Sequence, residues 1–245
     1  MASTSETGHA KNVANFESLI GFCKGYGAMF NPSNPLIKME GLTTVLTNGK
    51  SCLDALKVAS VVYNNATNAR ELAFGPLKKL STRIINALTA SGASQQTIDD
   101  ADTNHAKLQG RRMAPKKEEA PAKDGSTGEG SASNSVSQQS YDAQVENFAK
   151  LVETVSAEPK FAPNEPELQP AALNALLLTL KNHNTEVITA TTALSNARIN
   201  RDKVLYAAST GLHDVALATK AYVLSIYTKG SAEYKQIGGI RFTTI

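Results

Sequence analysis

A stretch that reads as one long helix occurs twice in the same register, and this duplication constrains the fold more than any other feature of the chain. From Leu173 the alternating three- and four-residue spacing runs through Leu173, Leu176, Leu180, His183, Val187, Ala190, Leu194, Ala197, Arg201 and Val204. Such spacing marks the seam of a helix set against other helices. Stepping back 131 positions (Leu173 to Leu42) gives Leu42, Val45, Gly49, Cys52, Leu56, Ala59, Tyr63, Ala66, Arg70 and Ala73. Alanines recur at alternate seam positions in the second half of each stretch, and both stretches end on an arginine followed by an acid, Arg70-Glu71 and Arg201-Asp202. Neither contains a proline, so each predicts an unbroken helix of about 33 residues, roughly 50 Å long at 1.5 Å per residue. Helices of that length imply an elongated bundle or coiled coil.

The repeat starts before the long helix. Val145, Asn147, Phe148 and Leu151 match Val13, Asn15, Phe16 and Leu19 at an offset of 132 (Asn147 to Asn15), and a short amphipathic helix is expected in each place, Asn12 to Cys23 and Gln144 to Val155. Both copies then carry a Phe-x-Pro-x-x-Pro connection, Phe30 to Pro35 and Phe161 to Pro166, which predicts an extended approach with the phenylalanine anchored in the core. In the second copy Pro170 is expected to delay the regular helix. A third helix follows, Leu77 to Ala90 and Leu212 to Tyr227, with Leu77, Leu80, Ile84, Ile85 and Leu88 inward in one and Val215, Leu217, Tyr222, Val223 and Ile226 in the other. Beyond it the first copy continues into a polar helix, Gln95 to Gln109, and the second into an apolar tail that packs back on the bundle.

The domain reading is therefore a flexible tail at 1–11, a first helical repeat at 12–109, a linker at 110–140 and a second repeat at 141–245. Gly110 to Ser140 is rich in Gly, Ser, Ala, Pro and Lys and almost devoid of apolar residues, so disorder is expected there. The fold class is all-α: an elongated helical bundle of two tandem three-helix repeats related by a pseudo-twofold. Docking of the repeats into one bundle covers the long seam better than two separate units would.

Charge and cysteine content exclude little. A net charge of +3 names no partner. The basic segment Arg111 to Lys123 lacks interleaved aromatics, so no nucleic-acid partner is expected. Cys23 and Cys52 are too few for a disulfide framework and read as reduced thiols. No signal sequence or spanning segment is evident, which predicts a cytoplasmic protein.

Candidate chemistry is sparse. The four histidines, His9, His105, His183 and His213, show no metal-ligand spacing with one another or with a cysteine. Cys52 and His183 hold the same seam position and would meet in a pseudo-symmetric core, as a metal or thiol site or, by the blander reading, as core filling. Asp99, Asp100 and Asp102 lack the glycine and distal glutamate of a calcium loop and read as a solvated face. Gly25-Tyr26-Gly27 is a turn. No catalytic, cofactor-binding or metal residues are assigned, and no cofactor is expected. The best-matched charged residues, Arg70, Glu71, Arg201 and Asp202, are the candidate interaction or structural residues: an arginine there binds an anionic group, or covers apolar surface with its stem and pairs its head with an acid.

The ending Tyr234 to Phe242, after Arg201 to Tyr206, resembles the ends of bacterial helical-repeat proteins to which no activity is assigned. That resemblance implies bacterial origin and no mechanism. The expected function is a non-enzymatic structural or protein-interaction role with a protein partner, another copy or a different chain. A membrane-active, pore-forming-like bundle is the alternative.

Overall fold

A computed structural model describes residues 4–111 and 139–244, whose regular structure is all helical, with no strand among them. The helices are α1 (Thr4–Gly25), α2 (Met39–Phe74), α3 (Leu77–Ala90), α4 (Gln95–Gln109), α5 (Tyr141–Ala157), α6 (Pro170–Tyr206), α7 (Leu212–Ile226) and α8 (Ala232–Gly238). Short 3-10 turns at Pro35–Ile37 and Pro166–Leu168 lead into the two long helices. Each turn opens on a proline, whose fixed φ and missing N–H suit the first helical position.

Local chemistry sets the boundaries. Ser94, Ser140 and Ser231 cap α4, α5 and α8 by accepting a hydrogen bond from the backbone N–H three residues on. Gly110 ends α4 in the left-handed region at φ 75°, where a side chain would be strained. Gly211 precedes α7 for a different reason: a Cβ there would lie 2.5 Å from the Ala207 backbone nitrogen. Pro170 does not delay α6 but begins it. The helix before the first connection is longer than its pattern predicts. α1 starts at Thr4, not near Asn12, so helix replaces the expected tail over residues 4–11, because His9 and Asn12 are buried and bonded where the pattern reads polar and exposed.

The chain divides into two compact units, residues 1–64 with 189–245, and residues 65–188. Each unit draws on both halves of the sequence, and each long helix gives its beginning to one unit and its end to the other. The core of unit one gathers Val13, Phe16, Leu19 and Cys23 of α1, Leu42 and Cys52 of α2, Leu205 of α6, and Leu212, Val215, Ala216 and Val223 of α7. Ile237 of α8 closes it, with Ile240 and Phe242 of the tail packed alongside. The core of unit two gathers Val145, Phe148, Leu151 and Val155 of α5, Leu173 and Leu180 of α6, Phe74 of α2, Leu77, Ile84 and Leu88 of α3, and Ala101 and Leu108 of α4. Phe16 and Phe148 are wholly buried, one in each core, and truncating a phenylalanine so placed costs about 3–5 kcal/mol.

Every predicted seam position of α2 and α6 is buried or half-buried. Phe30 and Phe161 anchor their loops at 7% and 5% exposure. The third helices differ from expectation in their inward faces. Leu77, Ser81, Ile84 and Leu88 are buried in α3, and Leu212, Val215, Ala216, Thr219 and Val223 in α7. Leu217 is exposed, Leu80 and Ile85 lie half-covered, and small or hydroxyl residues take the central places. Thr219 fits there by donating its hydroxyl to the Val215 carbonyl at 2.7 Å. Of the expected linker, Gly110, Arg111, Gln139 and Ser140 are placed, with Gln139 donating to the Lys107 carbonyl at 2.8 Å; the rest lies outside the described residues.

Candidate functional site

The two arginines of the long seams have different partners. In unit one Arg201 is 7% exposed and grips the neighbouring Asp202 through Nε at 2.9 Å and a terminal nitrogen at 2.8 Å. Its charge lies close enough to Cys52 and Tyr206 to favour their ionised forms, yet burial outweighs it and holds both pKa values above their usual ranges. In unit two Arg70 lies over the Tyr141 ring, 4.0 Å from its centroid, and Glu71 is exposed. Tyr141 also meets Phe74 edge-on at 4.8 Å. The Arg201 head thus pairs with the adjacent acid, whereas Arg70 lies against an aromatic face.

Around Arg201 the ends of several segments are tied together by polar groups. His9 Nδ1 is 2.7 Å from the Tyr206 hydroxyl, which also accepts from the Asn12 amide at 3.2 Å. Asn12 bonds the tail in both directions, donating to the Thr243 carbonyl at 2.7 Å and accepting from the Thr243 N–H at 3.2 Å. This is a clasp between α1, the end of α6 and the C-terminal tail.

The remaining candidates fall into place as structure. Cys52 and His183 belong to different units: the thiol donates to the Gly49 carbonyl at 3.1 Å, and the imidazole lies 2.9 Å from Glu186 on its own helix. Each thus has a hydrogen-bond partner on its own helix. Among the described residues no cluster of His, Cys, Asp and Glu is arranged to hold a metal ion. Burial pushes the Cys23 thiol up to about 12 against the lowering effect of a backbone hydrogen bond, so it stays protonated and unreactive. Asp99 accepts from Gln95 on the solvated side of α4.

One open site escapes the sequence reading. In unit two a cleft of about 520 Å³ lies between α3 and the loop from Lys160 to Glu165. Phe161 and Leu168 form its buried floor, Ala87 and Ala90 one wall, and Arg83, Asn86, Lys160, Asn164 and Glu165 its polar rim. The rim is held in place: Arg83 bonds Glu167 at 2.8 Å, and Lys160 Nζ donates to the Gly92 carbonyl at 2.7 Å. Burial in the two cores aligns α3 with α7 at an offset of 135, Leu77 with Leu212, Ser81 with Ala216, Ile84 with Thr219 and Leu88 with Val223. The same offset sets Ala87 against Tyr222. In unit one that tyrosine fills the corresponding space, its ring edge-on to Phe30 at 5.4 Å and its hydroxyl accepting from the Asn31 N–H at 3.1 Å. Tyr26 and Tyr227 meet at a tilt, ring centroids 5.4 Å apart, and burial, with Cys23, Tyr227 and Glu233 nearby, pushes the Tyr26 phenol up to about 12. Aligning the third helices by their buried faces is what brings the cleft into view.

Neither a protein-family model, nor a curated protein, nor a solved structure matches the chain. Among the described residues no helix is long and apolar enough to cross a membrane.

Proposed function

We propose that this chain is a non-enzymatic protein-interaction scaffold, an internally duplicated pair of helical repeats related by a pseudo-twofold. In this reading the beginning of each copy is completed by the end of the other. Support comes from positions that fill the two cores in parallel, Val13 with Val145, Phe16 with Phe148, Leu19 with Leu151, Leu42 with Leu173 and Leu77 with Leu212. The observation that carries the interaction role is the cleft beside Phe161, open where its counterpart beside Phe30 is filled by the protein's own tyrosine. Two sites built on one plan, one crowded with the protein's own tyrosines and the other without them, suit a division of labour. One stabilises the scaffold and the other receives a partner.

A photo-crosslinking residue at Asn86, on the cleft rim, tests this in the cells that make the protein. The expected result is a discrete protein adduct absent when the same group replaces Lys57, which is exposed on α2. Identical adduct patterns from the two positions would refute the reading.

A further inference from the structure

We infer that the cleft of unit two receives a tyrosine side chain from a partner protein, the intermolecular counterpart of what Tyr222 does within unit one. This rests on the reading of the cleft as a protein-contact site and adds the chemistry of its occupant. The two sites share the elements that recognise an aromatic ring. Phe161 stands where Phe30 stands, at the start of the Phe-x-Pro-x-x-Pro connection, and both are buried with the cavity side left for an edge-on partner. The third helix supplies the opposite wall in each, with alanine at the wall in unit two and tyrosine in unit one.

The site has also lost the other aromatics that crowd unit one. At the same offset of 135 that sets Ala87 against Tyr222, Gly92 stands for Tyr227, and at the offset of 132 that relates α1 to α5, Glu158 stands for Tyr26. Three rings are therefore missing from one end of unit two, and a cleft is found there. At about 520 Å³ it has room for a phenol ring with part of its backbone, so an incoming tyrosine enters without displacing the floor.

The polar groups set the ring's orientation. The Ala162 N–H, counterpart of the Asn31 donor, is taken by the Lys160 carbonyl at 3.0 Å, so the hydroxyl has to find the side-chain amides of Asn86 and Asn164 that line the cleft. Arg83 is paired with Glu167 and Lys160 is balanced by Glu165, so the rim carries no net charge and the amides alone orient the ring.

The test uses the full chain labelled with nitrogen-15 and p-cresol, the side-chain analogue of tyrosine, as the probe. Saturable amide shifts in the millimolar range, confined to Ala87, Ala90, Phe161, Ala162 and Asn164, are the expected result. Ala87→Tyr, which installs the residue of unit one in an otherwise unchanged helix, abolishes them while the helical circular dichroism is retained. Absence of saturable shifts at the cleft, or their persistence in the folded Ala87→Tyr protein, would overturn the inference. If p-cresol fails while the Asn86 crosslinks remain specific, the tyrosine occupant alone is wrong. If those crosslinks also vanish into background, the parent reading falls with it.

Discussion

Replacing Tyr206 by phenylalanine removes one oxygen from the clasp at the end of α6 and leaves its apolar packing intact. That oxygen is bonded to His9 at 2.7 Å and to Asn12 at 3.2 Å, and both partners are only 2% exposed. Water cannot readily replace it, so the change withdraws a partner from two buried polar groups. A buried group deprived of its partner costs about 1–3 kcal/mol. Asn12 keeps its two bonds to Thr243, which limits its share, and the expected total is about 2 kcal/mol. In a chain of this size that lowers Tm by roughly 4–8 °C. Urea unfolding followed by circular dichroism measures the first quantity and a thermal scan the second. Because Asn12 joins Tyr206 to the tail, Asn12→Ala and Tyr206→Phe should be non-additive, with a coupling of at least about 0.5 kcal/mol. A loss below about 0.5 kcal/mol for Tyr206→Phe would refute the clasp as a stabilising network, since a surface substitution does as much.

Other outcomes follow from buried groups and close approaches. Cys23 and Cys52 should react with a thiol reagent at pH 8 only as fast as unit one opens, and rapidly in urea, because burial raises both thiol pKa values. His105 is 7% exposed beside the Ser81 hydroxyl, and burial holds its pKa below 6.5 against the upward pull of Asp102, with Arg111 adding to the depression. The unfolded chain then takes up the proton first, so stability is full above pH 6.5 and declines as pH falls toward the depressed value. Urea midpoints between pH 7.5 and 5.5 should show that decline and should lose much of it in His105→Gln. Gly211→Ala forces a Cβ to within 2.5–2.9 Å of backbone atoms in the preceding turn and should cost at least about 2 kcal/mol by urea unfolding, the range of a buried overpacking clash.

Periodicity revealed the helices because apolar spacing is local, and the seam residues of α2 and α6 are all at least half-buried. The paired prolines likewise located the turns that start both long helices. What lay beyond reach was partnership. The pattern that puts Phe16 on the inner face of α1 says nothing about which half of the sequence its core partners come from, and Leu205 and Leu212 come from the other half. The start of α1 was hidden because His9 and Asn12 are buried through hydrogen bonds to Tyr206 and Thr243, residues almost two hundred positions or more away. Arg201 paired with its adjacent acid as the sequence suggested, but Arg70 found the Tyr141 ring, a contact no spacing announces. The cleft went unseen since it consists of side chains that are too small, and absence of bulk has meaning only beside Tyr222 in the aligned unit.

The composite cores are the central claim, and cleavage of the chain near Gly128 tests them most directly. Each fragment then carries part of both cores: Phe16 goes with one piece while Leu205, Leu212 and Val223, which share its core, go with the other. Size-exclusion chromatography with light scattering after native cleavage should give a single particle of about the intact 26.0 kDa, its helicity unchanged. Two separate, stably folded helical fragments, each of roughly half that mass, would contradict the account, because each copy would then have closed a core from its own helices.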